Sequence, residues 1–192
     1  MKKIIIKSAV ISFILILLFI VAFSFVLCTF FPKIASDLSK NVGNYQLSAT
    51  FSEKAYQKDS STENLVDLVE KSIIAKNDTL GAKYTNTLLV DENFRNNILP
   101  NKDSGYLSYI SASYVSSLYN LKEYDLALNT AFKHTSFLQD DSNAVKVLII
   151  ICRDDNNTTL LTQIKTKLEN LAIQNDIIKN YISVVEQIIS NS

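Results

Sequence analysis

The sequence predicts an all-helical chain: one membrane-spanning helix, then an array of short helical hairpins closed by a final helix. Three observations predict it. Residues 8–31 (SAVISFILILLFIVAFSFVLCTFF) are 24 consecutive residues without a charged side chain, a glycine or a proline. Beyond Pro32 the apolar residues recur at helical spacing instead of alternating. Turn and hairpin chemistry is scarce, with three Gly and two Pro in 192 residues and no Asn-Gly or Asp-Gly pair to close a β-hairpin.

The first element is the span. As a helix, residues 8–31 reach ~36 Å, enough to cross a hydrocarbon core of ~30 Å with some tilt. Residues 1–7 contain Lys2, Lys3 and Lys7 and no acid, whereas Lys33, Asp37 and Lys40 follow the run. The excess of positive charge on the N-terminal side predicts a short cytoplasmic tail (1–7), a single pass through the cell membrane (8–31), and residues 32–192 on the extracytoplasmic side. The competing expectation is a cleaved signal peptide, because Ala22-Phe23-Ser24 offers small residues at a cleavage site. The apolar run continues seven residues past Ser24, whereas a signal core is usually only about 7–15 residues long, which favours an uncleaved anchor. Bulky Phe25-Val26-Leu27 before Cys28 excludes a lipoprotein signal.

Charge and cysteine usage narrow what residues 32–192 do. Lys and Arg total 19, as do Asp and Glu; three of the basic residues precede the span, leaving 16 against 19 and a net charge of −3. That balance predicts no nucleic-acid partner. Cys28 lies in the span and Cys152 far beyond it, so no disulfide is expected and the domain must hold by apolar packing.

The remaining elements follow in order. Pro32–Val42 reads as a first helix that begins almost at the membrane face. Leu65, Val66, Leu68, Val69, Ile73 and Ile74 share a broad helical face, and Ser60 with Glu63 reads as a capping box at its start. Leu107–Leu121 and Tyr124–Leu138 are separated only by Lys122-Glu123. Ala144–Cys152 follows the candidate caps Asp140, Asp141 and Ser142, and Leu160–Ile173 and Ile177–Ile189 complete the set.

The connections repeat. Gly43-Asn44-Tyr45, Asn77-Asp78-Thr79, Lys122-Glu123-Tyr124 and Asn156-Asn157-Thr158 align as turns. Tyr45 to Thr79 and Tyr124 to Thr158 are each 34 residues; Thr79 to Tyr124 is 45, or 34 plus an 11-residue insertion placed at 97–107, around Pro100-Asn101-Lys102-Asp103-Ser104-Gly105. This helix–turn–helix period resembles the tetratricopeptide repeat. In that family a small polar turn precedes Tyr, then Ala three residues on and a second Ala seven further; Tyr45, Ser48 and Ala55 resemble this, as do Tyr124 and Ala127, and Ala82 would fill the small slot of the second unit. The chain departs from the pattern where aromatic and Gly positions are usual: Pro32, Val66, Ser111 and Val145, then Ser36, Glu70, Val115 and Ile149. The later small slot becomes Leu89, His134 and Leu168, and Leu161 replaces Ala in the fourth unit. The resemblance implies an α-solenoid of about four hairpins (29–62, 63–96, 108–141, 142–172), with residues 176–190 as a capping helix whose apolar side faces the array.

Catalytic chemistry is not legible. His134 is the single histidine, and Cys152 is the one cysteine outside the span, so no His/Cys metal site is expected and no cofactor is assigned. Gly43, Gly81 and Gly105 are too far apart for a phosphate loop. Asp140-Asp141 and Asp154-Asp155 read as caps, not as acid–base pairs. The expectation is therefore a binding protein and not an enzyme. The resemblance implies a concave groove lined by the first helix of each hairpin, holding a protein or peptide partner. Carried over by position, its lining is Asn64, Asp67, Leu68 and Lys71 from the second unit; Tyr109, Ser113, Ser116, Tyr119 and Asn120 from the third; and Asn143, Lys146, Ile150 and Arg153 from the fourth. Tyr109 and Tyr119 are the expected contact tyrosines, Tyr114 and Tyr124 the expected core ones. The function expected is a membrane-anchored protein–protein interaction scaffold or accessory subunit of a bacterial envelope complex. The alternative is a chaperone-like holdase for exported chains near the translocon.

Overall fold

The computed structural model describes residues 2–135, 137 and 143–192, with backbone alone over 2–10 and at 143. Among the described residues every regular element is helical and there is no strand. In order these are α1 (Lys2–Phe30), α2 (Pro32–Asn41), α3 (Tyr45–Lys58), α4 (Thr62–Ile74), α5 (Asp78–Val90), α6 (Tyr106–Asn120), α7 (Tyr124–Lys133), α8 (Asn143–Asp154), α9 (Thr158–Glu169) and α10 (Asp176–Ser190). The candidate caps Asp140, Asp141 and Ser142 lie outside the described residues. The chain divides into two compact units, one ending at Lys71 and the other beginning at Ser72, with the boundary inside α4.

In the first unit α1 is long and apolar enough to cross a membrane over Ile11–Phe30, and none of that stretch is buried by protein. It ends because Phe31 leaves the helical region (φ −128°, ψ 57°) and Pro32, with no N–H to give, takes the first position of α2. The Lys58 ammonium at the end of α3 donates to the Phe30 carbonyl (2.9 Å), satisfying an orphan acceptor at the α1 terminus. Helices α2 and α3 pack through small residues, Ala35, Ser36 and Ser39 against Ser48, Ala49, Ser52 and Ala55, which lets the backbones approach closely. The expected Ser60–Glu63 capping box is not made: the Ser60 hydroxyl turns back to the Tyr56 carbonyl (3.3 Å), and α4 begins at Thr62.

Four helix–helix junctions share one geometry. A residue with positive φ follows each first helix: Gly43 (79°), Lys76 (51°), Lys122 (65°) and Asn156 (54°). Its N–H bonds three residues back, to Lys40, Ile73, Tyr119 and Arg153, and the next N–H bonds five back, to Ser39, Ser72, Leu118 and Cys152. This is the Schellman motif, and its outer residue is at once the N-cap of the next helix. Three of these caps are asparagines whose Oδ1 accepts from the third helical N–H, at Leu47, Leu80 and Leu160 (3.1 Å each).

The N-caps Asn44, Asn77, Glu123 and Asn157 stand 33, 46 and 34 residues apart. The second junction thus sits one residue earlier than the sequence alignment places it, because Asn77 and Asp78 are both good caps. The small residue of α5 that lies close against α6 here is Gly81, beside the expected Ala82. A Cβ at Gly81 would come within 2.9 Å of the Ser117 hydroxyl on α6. In the same shift Leu65, Val69 and Leu88 replace Val66, Glu70 and Leu89, and all three are buried.

In the second unit α5 packs on α6, α6 on α7 and α8, α8 on α9, and α9 on α10. Leu88, Phe94, Ile110, Val115, Leu148, Leu161, Ile164, Leu168 and Ile178 are fully buried. The expected insertion at 97–107 is partly helical: a π-helical turn (Phe94–Ile98) runs into a 3₁₀ turn (Leu99–Asn101). Phe94 pins it in the core, and the Arg95 guanidinium caps α5 by donating twice to the Leu89 carbonyl (2.9 and 2.7 Å).

Candidate functional site

Lys71 in the first unit looks, by distance alone, like half of a nucleophile–base pair. Its ammonium, 4% exposed, lies 2.9 Å from the Ser36 hydroxyl, 2.6 Å from Asp37 Oδ1 and 3.0 Å from Asp67 Oδ2. The network continues from Ser36 to the Ser48 carbonyl (2.7 Å), from Ser36 to the Ser52 hydroxyl (2.8 Å) and from Ser52 to Asp67 (2.8 Å). The Lys71 Nζ is engaged by the two carboxylates as well as by the hydroxyl. Ser36 is wholly buried, so no substrate reaches it. The cluster is a packing device that joins α2, α3 and α4.

This burial corrects part of the expected groove. Asn64 is buried: its amide nitrogen donates to the Asp59 carbonyl and carboxylate (2.9 and 3.0 Å), and its oxygen accepts from Lys33 (3.4 Å). Asp67 and Lys71 belong to the cluster. Tyr119, expected as a contact, is 4% exposed; its ring lies 5.0 Å from that of Tyr124, and its hydroxyl accepts from Asn157 (3.4 Å). Burial pushes the Tyr119 phenol up to about 12 against the opposing pull of the Asn157 amide. Tyr124, expected in the core, keeps 37% of its surface exposed, and Tyr114 is buried as a core residue should be.

The other expected positions gather in two hollows of the second unit. Tyr109, Ser113, Ser116 and Asn120 line one of about 490 Å³, with Ile73 and Lys76 at one edge and Val147 at another. Asn120 donates to Asp78 (3.1 Å), and the Tyr109 ring is half exposed. Lys146, Ile150 and Arg153 line a second hollow of about 590 Å³ between α8 and α10. Its floor is apolar: Ile149 and Ile150 face Ile177, Tyr181, Val184 and Ile188. Lys146 and Arg153 stand two helical turns apart along α8, and Asp176 and Asn180 lie on the α10 side. Arg153 is also held by its neighbour Asp154 (2.8 Å).

The α10 half of this hollow is not evident in the sequence, where α10 appears as a cap with one apolar side. Only Ile178 and Val185 are fully buried on it. Ile177, Tyr181, Val184 and Ile188 form a second stripe at i, i+4, i+7 and i+11, beside the core stripe and left open. A cap needs one stripe, and the second was the available signal.

Among the described residues no three His, Cys, Asp or Glu side chains gather to hold a metal. Burial raises the Cys152 thiol to about 12, with Asp155 adding to the effect, so it stays protonated and unreactive. His134 is half-buried and held below its ordinary value, first by desolvation and then by Lys133 and Arg95. What the geometry offers is two open hollows of the second unit, lined from α6, α8 and α10. No protein-family model, curated protein or solved structure matches this chain.

Proposed function

We propose that this protein is a membrane-anchored interaction module. In this reading α1 is an uncleaved anchor with its N-terminus in the cytoplasm, and the following helices form a tetratricopeptide-like array on the extracytoplasmic side. The array serves as a scaffold or accessory subunit of an envelope complex, and a protein segment docks on the first-helix side of the array. The observation that carries the reading is the open hollow between α8 and α10, apolar along its floor and edged by Lys146 and Arg153. It suits a partner segment bearing apolar side chains with a carboxylate beside them. The four equivalent junctions support the repeat reading, since each delivers its next helix by the same turn.

The test is partner retention on purification from native membranes. Ile150→Asp and Val184→Asp each place a charge on the floor at a partly exposed position. Each should weaken capture roughly tenfold or more, the usual consequence of losing an apolar anchor worth ~1.5 kcal/mol or more, while helix content stays that of the parent chain. Thr162→Asp, on an exposed face of α9, should leave capture unchanged. Equal loss in all three variants, or loss in none, would remove the hollow from the account.

A further inference from the structure

The first unit carries an apolar face that its own packing does not use. Helix α2 buries Pro32, Ala35, Ser36 and Ser39, chiefly against α3. Beside that buried face, Ile34, Leu38 and Val42 form a second stripe, 51%, 49% and 80% exposed, which Phe31 (52%) extends towards the span. At 100° per residue these three lie within an arc of about 80°, with Lys33 and Lys40 on the far side of the helix and Asp37, 59% exposed, beside Lys33. Four large apolar side chains in a row on an exposed helix exceed the scattered exposure ordinary for a protein surface.

Two observations say what covers them. Only Phe31 separates α2 from the apolar helix α1, so the stripe begins where the span ends. The Lys58–Phe30 bond also fastens the far end of α3 to the same point, so no tether lifts the pair away. We infer that α2 lies in the membrane interface, with Phe31, Ile34, Leu38 and Val42 in the lipid and Lys33 and Lys40 towards water. An amphipathic helix with one apolar and one charged face takes this position at a bilayer surface. The inference rests on the reading of α1 as a membrane span and adds a second, in-plane contact to it. The first unit is then a foot seated on the lipid.

The test uses the full chain with Cys28→Ser and Cys152→Ala, carrying single labelled cysteines at Ile34, Leu38, Val42, Lys40 or Ile16 and reconstituted in phosphatidylcholine vesicles. The expected result is quenching of the 34, 38 and 42 probes by lipids bearing a shallow nitroxide. Their quenching by aqueous iodide should be several-fold weaker than that of the probe at 40. If the probe at 16 is lipid-quenched while 34, 38 and 42 respond to iodide as 40 does, the interfacial placement is overturned and the anchor stands. If the probe at 16 is itself open to iodide, the anchor reading falls and takes the inference with it. Protection of 34, 38 and 42 from both quenchers would mean that protein covers the stripe, which also overturns it.

Discussion

Replacing Lys71 by Met tests the reading of the first unit as a foot locked by a buried charge cluster. The Met side chain keeps most of the aliphatic stem and removes the ammonium. Three hydrogen bonds disappear: to Ser36, which is wholly buried, to Asp67, 29% exposed, and to Asp37, 59% exposed. Stripping one partner from a fully buried ion pair costs roughly 3–5 kcal/mol, chiefly through the charge left behind. Here both carboxylates retain water, so the loss is smaller, about 2 kcal/mol, most of it at Asp67 and at the Ser36 hydroxyl. Hydrogen exchange on the bilayer-reconstituted chain reads this directly, because opening α2 and α3 exposes their amides. A loss of ~2 kcal/mol lowers their protection roughly thirtyfold wherever exchange proceeds through this opening and reclosing outpaces exchange. Adding Asp67→Asn should restore at least half of the loss, since it removes the uncompensated charge. Unchanged protection in Lys71→Met would refute the claim that the cluster holds these helices together.

Two further outcomes follow from the second unit. Gly81→Ala gains helix propensity, worth about 1 kcal/mol in an open helix, but sets a Cβ 2.9 Å from the Ser117 hydroxyl, so overpacking of about 1–3 kcal/mol should cancel or outweigh that gain. Gly81→Ala with Ser117→Ala should be at least as stable as the parent in thermal unfolding, because the remaining contact, 3.7 Å to the Ser117 Cβ, is ordinary; a double variant no better than the single one would contradict this close approach. His134 should titrate below 6.5 by NMR, since desolvation favours its neutral form. Because the folded value is the lower one, its contribution is fully present above pH 6.5 and fades as pH falls towards the depressed value; a measured value above 6.5 would reverse the sign.

The helices and their connections were legible because they rest on local chemistry. An apolar run without charge marks α1, Pro32 marks its end, and Asn at a turn marks each of three caps. The second junction slips by one residue because Asn77, Asp78 and Thr79 can all cap; the Asn77 side chain accepting from Leu80 and its N–H reaching the Ser72 carbonyl fix Asn77 as the cap. The groove residues were less legible because their fate depends on partners distant in sequence. Lys71 reads as a surface residue until Ser36 and Asp37, 35 and 34 positions away, are brought against it. Tyr119 reads as a contact until Asn157, 38 positions on, reaches its hydroxyl. Tyr109, Ser113 and Ser116 line one hollow and Lys146 and Arg153 the other.

Photo-crosslinking in native membranes tests the central claim most directly. A photoreactive side chain in place of Ile150, on the floor of the α8–α10 hollow, should give one recurrent protein adduct, and the same group in place of Thr162 should not. No adduct at position 150, or the same adducts from both positions, would contradict the claim that this hollow holds a protein partner.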